Sequence, residues 1–132
     1  MTDDDILKAL EGAEALRTGH FVLTSGRHSD RYVQCARILE DPALTTDLAR
    51  EAVARIPEGL AVDLVAAPAV GGLIIGFAVA QALGVRFIFS EREQGVMTFR
   101  RSFEVPAGAR VLVVEDVVTT GGSVAEVIGL VE

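Results

Sequence analysis

Cysteine is almost missing from this chain. Cys35 stands alone, so no internal disulfide can form, and the thiol reads as a packing residue in a reducing, cytoplasmic setting. Lysine is as scarce: Lys8 is the only one, and every other cation is an arginine. Positive charge is in deficit throughout, with 12 Lys plus Arg against 19 Asp plus Glu and a net charge of −7. That balance argues against non-specific nucleic-acid binding. Long apolar runs are absent too, although half the residues are hydrophobic and mean hydropathy is +0.40. The longest, around residues 64–83, is broken by Pro68, Gly71, Gly72 and Gly76 and lacks flanking positive charge. It reads as a buried helix rather than a membrane span. Asp3-Asp4-Asp5 near the start argues against a secretory signal. At 132 residues the expectation is one domain, 1–132, with a real core and no repeats.

What is present is organised around Val111–Ser123, V-L-V-V-E-D-V-V-T-T-G-G-S. Val111 to Val114 predict a strand buried on both faces, as in a parallel sheet. Glu115 and Asp116 then place two carboxylates at its C-terminal end. Thr119, Thr120, Gly121, Gly122 and Ser123 supply hydroxyls and a permissive backbone, and Val124–Val131 predict a helix. Loop N–H groups and a helix N-terminus attract an anion, and glycines let the backbone come close to it. Carboxylates repel a phosphate but accept hydrogen bonds from sugar hydroxyls. Phosphate beside a vicinal diol suggests a ribose 5-phosphate. A P-loop is the other phosphate device, and it needs a lysine that this stretch lacks. The bland alternative is a strand–turn–helix crossover, which does not call for two acids after a buried strand.

The rest of the chain alternates helices and strands. Asp3–Arg17 predicts a helix ended by Gly19. His20–Val33 predicts two short strands around a Ser25-Gly26 turn, outside the main sheet; His28 there is either a ligand or a solvated turn residue. Asp41-Pro42 is a helix start, with Asp as the cap and Pro at the first position. Val62–Ala67 predicts a strand, Leu73–Leu83 a helix and Arg86–Phe89 a further strand. Ser90–Gly95 reads as a charged loop and Val96–Phe103 as a flexible ribbon. Val70, Gly71 and Gly72 turn the chain after a strand, where parallel sheets place ligands; the competing reason for such glycines is a tight turn with positive φ. The arginines cluster at Arg27, Arg31 and Arg37 and at Arg92, Arg100, Arg101 and Arg110. They suit phosphate or carboxylate recognition, or are solvated loop charge. The expected fold is a three-layer αβα sandwich with a mostly parallel central sheet.

E-D-V-V-T-T-G-G-S resembles the phosphoribosyl-pyrophosphate (PRPP) motif of type I phosphoribosyltransferases, in the form found in orotate phosphoribosyltransferases. The segment G-H-F-V-L-T-S-G-R-H-S-D-R-Y-V resembles that family's N-terminal hood, here about residues 1–36. The resemblance implies transfer of ribose 5-phosphate from PRPP to orotate, yielding orotidine 5′-monophosphate and pyrophosphate in pyrimidine synthesis. It implies that Glu115, Asp116, Val117, Val118, Thr119, Thr120, Gly121, Gly122 and Ser123 bind PRPP, with Glu115 and Asp116 on the ribose hydroxyls and Thr119 to Ser123 on the 5′-phosphate. Val70, Gly71 and Gly72 correspond to the pyrophosphate loop, and Thr119, Ser25 and Gly26 to the orotate contacts. Magnesium (Mg2+) would be held mainly by substrate rather than directly by protein. A cytoplasmic homodimer with a shared active site is implied, with no nucleic acid or membrane partner. Well-known members carry lysines and a histidine in the catalytic loop and a lysine in the pyrophosphate loop. Arg92, Arg100 and Arg101 stand in the first place and Gly71 in the second, so Arg92 and Arg100 are read as an electrostatic clamp. The family is longer, and the chain is expected to be truncated at its C-terminus. A purine phosphoribosyltransferase and a non-catalytic PRPP sensor are the alternatives; the hood favours orotate over a purine.

Overall fold

A computed structural model describes residues 1–132 other than Thr24 and Thr119. The chain divides into two compact units, Met1–Leu48 and Ala49–Glu132.

The first unit opens with helix α1, Asp3–Gly12, capped by Thr2. The Thr2 hydroxyl accepts from the Asp5 N–H at 3.2 Å, and the Asp5 carboxylate accepts from the Thr2 N–H at 2.8 Å, a reciprocal capping box. The helix is shorter than the sequence suggests. Glu14 turns the chain at φ 58°, and Leu16 begins strand β1, Leu16–Val22, which pairs antiparallel with β2, His28–Val33. Leu16, Arg17 and Thr18 satisfy their backbone groups on Val33, Tyr32 and Arg31, and this ladder outweighs their helical propensity. Gly19 therefore ends no helix; it lies in β1, where the register shifts between Thr18 and Phe21. The two-stranded sheet around Ser25-Gly26 is separate from the main sheet, as expected. A short helix α2, Ala36–Leu39, follows. Next comes α3, Pro42–Ala54, whose Asp41 cap accepts from the N–H groups of Ala43 and Leu44 at 3.0 and 3.1 Å. The division between the units falls within α3.

The second unit holds a four-stranded sheet. Its elements are β3 (Leu64–Pro68), α4 (Gly72–Leu83), β4 (Arg86–Glu93), β5 (Val96–Phe99), β6 (Val111–Val113) and α5 (Gly122–Val131). Strand order is β5-β4-β3-β6, with β3 parallel to both β4 and β6. The sheet is thus mostly parallel, with one antiparallel pair, β4 and β5. All five β3 residues are buried, and their alternation builds two cores. Leu64 and Ala66 pack with Ile88, Met97 and Val127 under α5. Val65 packs with Ala49, Val79 and Ala80 beneath α3 and α4. Helices on both faces of one sheet make the three layers.

Two readings need correction. The doubly buried central strand is β3, whereas β6 stands at an edge among the described residues and is half-buried. Ser90–Gly95 and Val96–Phe103 are not loop and ribbon: β4 runs on to Glu93 and returns through Gln94-Gly95 into β5. Both turn residues have positive φ, 53° and 80°, which matches the twist of a two-residue hairpin. The register of β3 against β6 is pinned at its start by a two-way clip. The Asp63 N–H donates to the Arg110 carbonyl at 2.8 Å, and the Arg110 N–H donates to the Asp63 carboxylate at 2.8 Å. Arg110 is therefore occupied structurally, and its guanidinium closes the same pair.

Candidate active site

The parallel strands deliver their C-terminal ends to one rim. Beyond β6, the Val114 N–H donates to the Ala66 carbonyl at 2.9 Å, so the chain stays against β3 until Glu115 and Asp116. Both acids are half-buried. The Asp116 N–H donates to Glu115 Oε1 at 3.1 Å, and the Val117 N–H donates to Asp116 Oδ1 at 2.8 Å. Burial pushes the Glu115 carboxyl up to about 7, helped by the side-chain hydrogen bond to Asp116 and by the Asp116 charge, and opposed by the Asp116 N–H. The apolar groove beneath it explains the desolvation: Leu112, Val114, Val118, Val124, Ile75 and Val79 line a space of about 370 Å³ that Glu115 borders.

The hydroxyl/glycine loop leads into α5. Gly121 caps that helix at φ 81°, ψ 10°, a left-handed conformation that glycine adopts without penalty. The Gly122 N–H is 3.4 Å from the Thr120 hydroxyl, and Gly121 accepts the first helical bond from Ala125. Glu115, Thr120, Ser123 and the backbone of 117–118 and 121–122 enclose a polar space of about 70 Å³ at this helix N-terminus, a setting for an anionic group. Thr119 lies outside the described residues.

The loop after β3 meets this site. A Cβ on Gly71 would lie 2.6 Å from Asp116 Oδ1, and one on Gly72 would lie 2.9 Å from the Ala67 Cβ and 3.1 Å from the Val114 carbonyl oxygen. Neither glycine has positive φ, so the tight-turn reason for them falls; close approach is what they provide. The structure thus joins Val70–Gly72, Glu115–Asp116 and Thr120–Ser123 at one rim. Ser25 and Gly26 lie in the hairpin turn of the first unit.

Arg92, Arg100 and Arg101 are engaged with carboxylates. Arg92 forks onto Glu126 of α5 at 2.9 and 3.0 Å and also donates to the Gly95 carbonyl. Arg101 forks onto Glu91 at 2.9 and 3.2 Å. Arg100 stands 3.7 Å from Glu93, the longest of these pairs. Glu126 escaped the sequence reading; the signal was a lone charge inside the apolar run of α5.

No group of three or more His, Cys, Asp or Glu side chains converges as a metal cage among the described residues. The two adjacent carboxylates are hard oxygen donors that fit a magnesium ion held mostly by a substrate's own oxygens.

This mostly parallel sheet is that of the phosphoribosyltransferase fold, and the family model for the phosphoribosyl transferase domain matches residues 35–132. The chain is 54% identical over 129 residues to the orotate phosphoribosyltransferase of Heliobacterium modesticaldum, covering 97% of this chain and 68% of that protein. Among solved structures it is similar to Leishmania donovani UMP synthase, with a TM-score of 0.76 at 26% identity, covering 98% of this chain and 28% of that one. The orotate phosphoribosyltransferase of Aeropyrum pernix gives 0.67 at 28% identity, covering 96% and 72%. The chain belongs to the orotate phosphoribosyltransferase family. It spans about two thirds of the length of the curated relatives it matches.

Proposed function

We propose that this chain transfers ribose 5-phosphate from PRPP to orotate, with magnesium, giving orotidine 5′-monophosphate and pyrophosphate. The observation that carries the reading is the meeting of the Glu115–Asp116 pair, the cradle of Thr120–Ser123 and the Gly71 loop at one sheet rim. The 5′-phosphate sits at the α5 N-terminus, held by backbone N–H groups and the hydroxyls of Thr120 and Ser123, with Thr119 as a further contact. Glu115 and Asp116 accept from the ribose hydroxyls. The Val70–Gly72 backbone faces the pyrophosphate.

In the transfer, the C1–O bond to pyrophosphate breaks and its electron pair leaves with the pyrophosphate. A ring nitrogen of orotate bonds to C1 and gives up its proton. Positive charge grows on the ribose as the bond stretches, and the adjacent carboxylates stabilise it. Because no covalent nucleophile is needed, catalysis rests on positioning and electrostatics. Magnesium, when bound, screens the charge of the departing pyrophosphate. Arg92 and Arg100 supply a cationic clamp on that leaving group, and Arg100, with its 3.7 Å partner, exchanges most easily. The working assembly is a cytoplasmic homodimer with a shared active site. Calorimetry with PRPP and magnesium tests the binding half of the proposal: saturable binding is expected, weakened by neutralising Asp116, and heat-silent mixing would overturn it.

A further inference from the structure

The backbone of Gly71 does not call for glycine. Its φ of −59° and ψ of −35° are α-helical values that any residue adopts. What the missing side chain supplies is room. A Cβ there would stand 2.6 Å from Asp116 Oδ1, 3.0 Å from its Cγ and 3.1 Å from Oδ2. The 2.6 Å contact with Oδ1 forces something to move, and the other two atoms are tightly placed. The carboxylate is not free to swing away without loss, because Oδ1 accepts the Val117 N–H at 2.8 Å and the Asp116 N–H is tied to Glu115. The aspartate is also short, with only χ1 and χ2 to rotate, and it is half-buried.

We propose that Gly71 is a positioning residue: by presenting no side chain, it fixes where the Asp116 carboxylate lies and fuses the loop after β3 with the acidic pair into one surface. The proposal rests on the phosphoribosyl-transfer reading of this site. Any side chain at residue 71 turns the carboxylate off the Val117 N–H and displaces it from the sugar hydroxyls it serves.

The test is a double-mutant cycle with Gly71→Ala and Asp116→Ala, each checked for folding by circular dichroism. Alanine at 116 removes the three atoms that residue 71 would strike. PRPP affinity, measured with magnesium, is expected to fall about tenfold in Gly71→Ala. KM for PRPP rises with it, while KM for orotate stays constant. In the Asp116→Ala background, Gly71→Ala is expected to change nothing further. Equal losses in both backgrounds, or unchanged PRPP affinity in Gly71→Ala, would overturn the proposal. Hydrogen exchange at the Val117 amide gives a readout without substrate: exchange should speed up in Gly71→Ala, and unchanged protection would overturn the positioning claim. Wild-type protein that fails to bind PRPP would instead overturn the functional reading, leaving the Val117 amide to decide the role of Gly71.

Discussion

Glu115 makes stability depend on pH in a direction opposite to that of most carboxylates. In the unfolded chain its carboxyl ionises near the ordinary value of 4.5, and in the fold it is pushed up to about 7. Between those values the native state keeps a proton that the unfolded state has released. Stability is therefore fully present below about 4.5, declines as pH rises through about 7, and levels off above. At about 1.36 kcal/mol per tenfold change in proton affinity, the gap sets a ceiling of roughly 3.4 kcal/mol. Partial exposure of the pair screens it, leaving about 1–2 kcal/mol. The perturbation is Glu115→Gln, which keeps an acceptor for the Asp116 N–H and cannot ionise. Urea unfolding at pH 5, 6, 7 and 8 should show the wild-type midpoint falling by about 0.5–1 M more than that of the variant. Parallel curves for the two proteins would refute the reasoning, as would a wild type that gains stability relative to Glu115→Gln over this window.

Asp116→Asn should abolish turnover while leaving the circular dichroism spectrum intact; undiminished activity would remove the aspartate from the chemistry. Gly76→Ala should cost about 1–3 kcal/mol in chemical denaturation, because its Cβ would lie 2.6 Å from the Phe87 ring and 3.0 Å from the Ala67 Cβ. On the acid side, Arg101 holds Glu91, and Arg92 holds Glu126, below the usual carboxylate range. Those contacts stabilise the fold above that range and are lost as pH falls through the lowered values. Protection of the β4 and β5 amides, corrected for the intrinsic pH dependence of exchange, should therefore fall at low pH, and Glu126→Gln should lower it already near neutral pH.

The strand–loop–helix segment of the candidate site was legible because it is local in sequence. Glu115 through Ser123 join strand, loop and helix in one segment, and its residue types are those that the proposed anion and diol contacts need. The sandwich was legible from alternation, and the α3 start from Asp41-Pro42. What stayed hidden depends on distant partners. Leu16–Thr18 follow a helical pattern until β2 offers them a ladder. Ser90–Glu93 look like a polar loop until β5 pairs with them and Glu126 neutralises Arg92. Gly71 and Gly72 could be ligand-loop or tight-turn glycines, because nothing in the sequence says that Asp116 and Val114 pass close to them. Neighbours across the sheet also decide that β3, rather than β6, is enclosed on both sides.

The most direct test is orotate consumption, followed in the ultraviolet with PRPP and magnesium and run beside the same protein in EDTA. Loss of orotate that requires magnesium and stops in Asp116→Asn is the expected result. Orotate left unchanged by folded protein that binds PRPP would contradict the proposed transfer.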